Sequence, residues 1–491
     1  MMPKLPRRHA LKLTAGATVA GFFTSTSARA QTERSASYEV RMAVIGTGGR
    51  GGSHINGFSE QDGTKLAMLC DADSNASGKR AEALGKKVGY KVETAKDFRE
   101  VLDRDDIDAV SIATPNHWHA LMTILACQAG KHVYVEKPVC HSIWEGRQMV
   151  NAMLKYKRIV AGGFQNRSDT GLMKAIPQIH SGRIGKIVQA RGLCYRNRNS
   201  IGKLDHPLTP PETVDYNLWL GPAADLPIMR PQFHYDWHWD FNTGNGDMGN
   251  QGPHEMDLLR WALGDPIHPI QVRSFGGRFV WNDAGDTPNL QYAQFDFGDG
   301  VPVIFEVRNL HQKDENESVG RYAKGPGVGI IITGEKGEFR GGRGGGAFYD
   351  TEGAMVEEFK GDRGSTHMSN FLECVRSGKQ SELRSPVESA YYSSCMSHLA
   401  NISVRSGDGA SGGELTARLS GNSTALETLG RFSEQLKLWD IDPQQLPWQS
   451  GPELTFDPQT EEFTAGDNLT AANALVRRED RKPFVIPRID L

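Results

Sequence analysis

Two textures of apolar and polar positions run along this chain. From Val40 to Gly163 short apolar runs of strand length alternate with stretches of helical period. The runs read as strands at Val40–Ile45, Leu66–Cys70, Lys91–Glu93, Ala109–Ala113, His132–Val135 and Ile159–Gly163. Between them His54–Phe58, Ala76–Leu84, Asp97–Leu102, His119–Ala129 and Ile143–Tyr156 read as helices. Strands alternating with helices predict a doubly wound parallel sheet, an α/β domain.

From about Gln165 the pattern changes to α+β. Gly171–Ile179 reads as a helix, Ile187–Leu193 as a strand, and an amphipathic helix opened by Gly246–His254 runs through Leu263. Alternating strands follow at Gln271–Phe275, Leu290–Phe297, Val303–Arg308, Val328–Thr333 and Glu338–Arg340, with Gly298-Asp299-Gly300 as a hairpin turn. Met368–Val375 and Val387–Leu399 read as helices, and Gly341–Gly346 as a flexible loop. The whole predicts a second, α+β domain on an antiparallel sheet. The expected division is a segment at 1–30, an α/β domain at 38–165, an α+β domain at 166–410, and an extension at 411–491 packing on both.

Composition changes this picture little. The chain of 491 residues is 38 % hydrophobic with a net charge of −3, so neither nucleic acid nor an anionic membrane is expected as partner. The six cysteines show no C-x-x-C and no metal-ligand spacing, so they read as buried thiols and no metal is expected. The first thirty residues matter more. Arg7-Arg8 with the apolar stretch Leu13–Phe23 and Ala28-Arg29-Ala30 resembles a twin-arginine export signal with its cleavage site. The expected location is the periplasm or beyond, the expected partner the twin-arginine machinery, and no membrane span is expected in the mature protein.

The chemistry starts in the glycine run after the first strand. Gly46-Thr47-Gly48-Gly49-Arg50-Gly51 is a G-x-G-x-x-G between a strand and a helix, and Asp71 ends the next strand twenty positions on. Gly46 allows the turn, Gly48 lets backbone N–H groups approach a pyrophosphate, and Gly51 lets helix and strand pack closely. Asp71 would accept from a ribose 2′-OH and favours NAD, while Lys79 and Arg80 nearby keep NADP open. Ligands in such sheets bind at the carboxyl ends of the strands. Thr114, Pro115, Asn116, His119, Glu136 and Lys137 lie there as cofactor-binding candidates. Lys137, beside a nicotinamide, could bond a reacting hydroxyl and move its proton; alternatively it pairs with Glu136 as a structural ion pair. His254 at a helix start could accept a proton or merely cap the helix. Asn166, Arg167, Asn250 and the aromatic Tyr235 and Trp237 complete the substrate candidates, the rings suiting a sugar's C–H face.

These motifs, in this order from Tyr38 to Leu399, resemble the Gfo/Idh/MocA family of sugar and polyol oxidoreductases. The residues that carry the resemblance are Gly46–Gly51, Asp71, Thr114-Pro115-Asn116, Glu136-Lys137-Pro138 after Lys131-His132-Val133, and the Gly249–His254 helix start. The resemblance implies a Rossmann domain followed by a domain on an open, mostly antiparallel sheet, Lys137 and His254 in catalytic positions, and Asn116 and Glu136 near the nicotinamide. The export signal adds a likeness to the glucose–fructose oxidoreductase branch. Many relatives have an aspartate where this chain has Asn250. An amide cannot take a proton, so Asn250 orients substrate and the base is His254 or Lys137.

Export bears on the reaction class, because the periplasm holds no large nicotinamide pool. The expectation is a tightly held NAD and a closed redox cycle on a sugar or glycoside hydroxyl. The alternatives are a redox-neutral NAD-dependent glycosidase or epimerase and a non-catalytic sugar-binding protein. A homo-oligomer is expected through the solvent-facing side of the open sheet.

Overall fold

The computed structural model describes residues 38–310, 322 and 325–491. The export-signal reading at 1–30 lies outside the described residues.

Six parallel strands form the first sheet: β1 Val40–Ile45, β2 Thr64–Cys70, β3 Glu93–Ala95, β4 Ala109–Ile112, β5 His132–Val135 and β6 Val160–Gly162, in the order β3-β2-β1-β4-β5-β6. Helices α1 Gly49–Ser59, α2 Ser74–Val88, α3 Phe98–Leu102, α4 His119–Gln128 and α5 Ile143–Tyr156 connect them. The central strands are buried on both faces, which is why they read as unbroken apolar runs. The strand order reverses between β1 and β4, and the carboxyl ends at that switch point open a crevice. Of the boundaries that differ from expectation, two have a clear local cause. α1 begins inside the glycine run rather than at His54, because glycines carry no apolar stripe. β3 sits at Glu93–Ala95 rather than Lys91–Glu93, a short edge strand whose register is set by pairing with Met68–Cys70.

The second sheet holds twelve strands: β7 Ile187–Tyr195, β8 Gln271–Gly277, β9 Leu290–Asp296, β10 Val303–Arg308, β11 Val328–Gly334, β12 Gly337–Gly342, β13 Gly345–Tyr349, β14 Met355–Lys360, β15 Asp408–Ala410, β16 Trp448–Ser450, β17 Leu454–Asp457 and β18 Glu462–Ala465. Their path is β14-β13-β12-β11-β7-β10-β9-β8-β16-β15, with β17 pairing β8 and β18. All contacts are antiparallel except β7 with β10. The expected loop at Gly341–Gly346 is instead the hairpin of β12 and β13, with Gly341 opposite Gly346. Side chains there would collide with the Phe339 ring, since a Cβ on Gly341 or Gly346 would lie 2.6 or 2.4 Å from it. The ring supplies the packing surface that paired glycines lack.

Helices α6 Thr170–His180, α7 Tyr216–Leu220, α8 Gly246–Asn250, α9 Gly252–Ala262, α10 His367–Ser377 and α11 Val387–Arg405 follow in chain order. α9 and α11 pack on one face of the second sheet. The single helix expected from Gly246 to Leu263 is two, parted at Gln251, with Pro253 in the first turn of α9 where its missing N–H costs nothing. The other sheet face is not left open across β8–β10. The extension folds as α12 Gly412–Arg418 and α13 Ser423–Lys437, whose Leu415, Leu419, Leu429, Phe432 and Leu436 pack on Phe275, Tyr292 and Ile304. The same helix covers a buried charge: Arg431 Nη2 donates to Glu306 Oε1 at 2.6 Å, and Arg191 pairs with the same carboxylate. The last residues return to the first sheet, where Phe484 meets the Trp118 ring edge-on at 5.2 Å. All six cysteines are buried and unpaired. Among the described residues no helix is long and apolar enough to cross a membrane.

Candidate active site

A cleft of about 1060 Å³ lies at the carboxyl ends of the first sheet and is walled on its far side by the second half of the chain. Its floor is the turn from β1 into α1. Gly46 has φ +83, and a Cβ there would lie 2.6 Å from Thr114 N; a Cβ on Gly51 would lie 1.9 Å from Gly46 O. Both glycines are thus required by close backbone packing. Gly48 and Gly49 differ, for nothing lies within 4 Å of a Cβ on either. That open space faces the N-terminus of α1, which has no side-chain cap and no acid in its first turn. Orphan N–H groups and the positive end of the helix dipole make a phosphate cradle. Thr47 sets the acid of the motif: its N and Oγ1 donate to Asp71 Oδ2 at 2.7 and 2.9 Å. The cleft further holds Asn116 Oδ1 and His254 Nδ1 as buried polar atoms without a hydrogen-bond partner. Glycine cradle, acid and the orphaned Asn116 oxygen fit a dinucleotide such as NAD, which Gly46–Arg50, Asp71, Thr114, Pro115 and Asn116 would hold.

Glu136 and Lys137 follow β5, but their charged groups make no ion-pair contact with each other. Glu136 Oε1 accepts from Arg50 Nε at 2.7 Å and Gln165 Nε2 at 3.2 Å, and lies 2.9 Å from His54 Nε2. Burial would raise the carboxyl, yet Arg50 and His54 hold it well below its usual range. Lys137 Nζ instead crosses the cleft and donates to Asn250 O at 2.7 Å and Asn250 Oδ1 at 3.2 Å. An ammonium has three donors, so the third position is left for the cleft. Burial lowers its pKa against the upward pull of Glu136.

His254 occupies the first turn of α9, with Phe164 edge-on to the ring at 6.0 Å. Burial and the nearby Lys137 charge hold the imidazole well below its usual pKa, so it is neutral at pH 7. Asn250 is held from behind, its Nδ2 donating to Asp247 Oδ1 at 3.0 Å. Arg198 clamps that carboxylate with two bonds of 2.8 and 3.0 Å and reaches Tyr235 Oη at 3.2 Å. Tyr235 and Trp237 line the cleft, with Trp237 stacked on His238 at 3.6 Å. Arg198, His238, Gln251, Glu255 and Asp247 were not among the sequence candidates. Arg196-Asn197-Arg198 directly after a strand is the signal that could have marked one of them.

Other candidates take structural places. Arg167 does not reach the cleft: its Nε and Nη2 donate to Asp257 at 2.8 and 2.9 Å, and Nη2 also to Asp265 at 2.6 Å. Two carboxylates on α9 and the turn after it outcompete any ligand for this buried guanidinium. Asn166 beside it does line the cleft. His119 lines the cleft, but its ring nitrogens lie 2.6 and 2.9 Å from the Pro138 and Thr114 carbonyls, tying two strand-end loops together. His117 is wholly buried between the carbonyls of Thr243 and Trp219, and burial lowers its pKa to about 3.

Comparison with known proteins agrees with this geometry. Residues 40–164 match the description "Oxidoreductase family, NAD-binding Rossmann fold", and residues 223–340 match the GFO/IDH/MocA C-terminal domain. A protein of Shewanella sp. strain W3-18-1 called glycosyl hydrolase family 109 protein is 34 % identical over 342 residues, covering 62 % of this chain and 74 % of the relative. An α-N-acetylgalactosaminidase of Shewanella oneidensis is 34 % identical over 171 residues, 30 % of this chain and 37 % of that protein. A glycosyl hydrolase family 109 protein of Shewanella pealeana is 35 % identical, again over only 37 % of its length. Among solved structures, levoglucosan dehydrogenase in complex with NADH superposes with a TM-score of 0.55 at 17 % identity, covering 73 % of this chain and 95 % of that one. The WlbA dehydrogenase of Bordetella pertussis, in complex with NADH and UDP-GlcNAcA, gives 0.52 at 21 % identity, with 72 % and 93 % covered. These two likenesses are of fold. With both halves matched in chain order and one relative aligned over three quarters of its length, the chain belongs to the Gfo/Idh/MocA family, and its first domain is an NAD-binding Rossmann domain.

Proposed function

We propose that the protein is an NAD-dependent oxidoreductase acting on a hydroxyl-bearing carbon of a sugar or glycoside. One observation carries the reading: Lys137 from the first sheet and His254 from the second half line one cleft beside the glycine cradle. When bound, NAD supplies a hydride acceptor. The chain's own residues handle the proton. His254 is neutral at pH 7 and its ring lines the cleft, so it can accept the hydroxyl proton. Lys137, fixed by Asn250, uses its third N–H to hold the hydroxyl oxygen and the carbonyl it becomes. Asn250 orients that lysine and takes no proton. Tyr235 and Trp237 offer ring faces to the sugar.

A second reading is favoured by the names of the relatives, glycosyl hydrolase family 109 protein and α-N-acetylgalactosaminidase. In it the same cleft oxidises, eliminates, hydrates and re-reduces a glycoside, with net hydrolysis. Retention of NAD through turnover and export by the leader at 1–30 belong to either reading. Purified protein mixed with glycosides decides between the two. The first reading expects absorbance growth at the reduced nicotinamide band, abolished in Lys137→Met. Release of aglycone without added acceptor, and without net absorbance change, favours the second. Sugar binding with neither signal overturns both.

A further inference from the structure

The far wall of the cleft carries two guanidinium groups that the proposed reaction does not use. They are brought together by sheet register. Ile330 on β11 pairs with both Gly192 on β7 and Gly341 on β12, and Val328 pairs with Cys194. Gly192 and Gly341 therefore point to the same face, and Arg196 and Arg343 follow just past the same end of their strands, β7 and β12. That face is the one under α9: a Cβ on Gly192 would lie 3.0 Å from Leu259 Cδ1. α9 carries His254, and both arginines line the cleft with it. The glycines on either side of Arg343 leave it the only long side chain on the hairpin tip between β12 and β13.

The charges of this wall are not matched by the protein. Arg343 has no hydrogen-bond or ion-pair partner among the described residues. Arg196 donates to a neutral amide, Gln251 Oε1, at 2.8 Å. The carboxylates lining the cleft are engaged elsewhere: Glu136 with Arg50, Asp71 with Thr47 and Asp73 with His234, while Asp247 behind the lining is taken by Arg198. Glu255 accepts from Gln251 Nε2 at 3.1 Å, and burial raises its carboxyl pKa to about 8, so it adds no charge at pH 7. Lys137 adds a further cation. The phosphate cradle, with its own helix N-terminus, lies on the first sheet, away from this wall.

We propose that Arg343 and Arg196 form an oxyanion subsite, and that the substrate is a sugar or glycoside carrying an acidic group, a carboxylate or a sulfate ester. Planar guanidinium forks suit both groups and exclude neither. The inference rests on the sugar reading above but is tested apart from it.

The test is calorimetric titration of the NAD-loaded protein with matched pairs: glucuronate and glucose 6-sulfate against glucose, and galacturonate against galactose. At least one acidic sugar is expected to bind about ten- to a hundredfold tighter than its neutral partner. Arg343→Ala and Arg196→Ala are each expected to erase most of that difference, Arg343→Lys to keep part of it, and both alanine variants to bind NADH as the parent does. Carboxylate and sulfate arms show which acid is preferred. Equal binding of every acidic and neutral pair overturns the subsite, as does a loss of NADH affinity in the arginine variants. Arginine-dependent binding without absorbance change or aglycone release keeps the subsite and removes the proposed reaction. Turnover of neutral sugars without acidic preference does the reverse.

Discussion

Gly48→Ala and Gly51→Ala separate the two jobs the glycine run performs. Gly48 has φ −69 and ψ −172, open to any residue, and its added Cβ meets nothing within 4 Å. The fold therefore loses only glycine's advantage over alanine at a helix start, about 1 kcal/mol or less. The same methyl stands where phosphate oxygens must reach the N–H groups of α1. Losing one charge-assisted hydrogen bond, worth about 1.5–3 kcal/mol, weakens NADH binding roughly ten- to a hundredfold. Gly51→Ala inverts the pattern. Its Cβ would lie 1.9 Å from Gly46 O and 2.8 Å from Gly46 C, so α1 must lift from β1. Overpacking of that kind costs about 1–3 kcal/mol, or roughly 2–10 °C in Tm. NADH fluorescence titration and thermal melts on dialysed protein measure both quantities. Parent-like NADH affinity in Gly48→Ala refutes the cradle, and a parent-like melt in Gly51→Ala refutes the packing argument.

Three further outcomes follow from the same geometry. Asn250→Asp sets a carboxylate about where an amide oxygen now lies 3.2 Å from Lys137 Nζ, so the lysine's pKa rises. Any limb of the kcat profile that reports Lys137 deprotonation moves to higher pH, by about one unit or more; an unmoved pH profile counts against coupling of these two residues. Arg167→Met leaves Asp257 and Asp265 without their shared cation, and loss of about 3–5 kcal/mol is expected in urea unfolding. A stable variant with a raised KM would return Arg167 to the substrate site. Glu461 is pushed up by burial, but His268 and Arg147 hold its carboxyl near 2 against an ordinary 4.5. A depressed carboxyl stabilises above its unfolded pKa, so about 3 kcal/mol is present at neutral pH and lost as pH falls from about 5 to 2. Glu461→Gln should flatten the stability profile in that window, and an unchanged acid midpoint contradicts the assignment.

The sequence by itself determined the first half of the molecule. Buried parallel strands must be apolar on both faces, and a strand–glycine–helix turn must carry its glycines at fixed offsets, so both leave local marks. Gly46–Gly51 and Asp71 were legible for that reason, whereas Asn116, Lys137, Asn250 and His254 stood out through the family resemblance; the structure sets all of these but Gly51 along one cleft. Paired strands rich in glycine leave no such mark. The β12–β13 hairpin reads as a loop because its packing surface, the Phe339 ring, belongs to another position. The C-terminal helices that cover Phe275, Tyr292 and Ile304 likewise have no local pattern naming the face they close.

Partner choice was settled only by the tertiary structure. Glu136 stands next to Lys137 in the chain, yet its charge goes to Arg50 and His54, while the lysine crosses to Asn250. Arg167 follows shortly after β6 at the carboxyl end of the first sheet, yet two distant aspartates take it. Arg196 and Arg343 are 147 positions apart in the chain and reach one cleft wall only through the register of three strands. Backbone preference and apolar period act over a few residues, so a sequence displays them. Charges and hydrogen bonds act between whichever groups folding brings within a few ångströms, and only the assembled fold decides that.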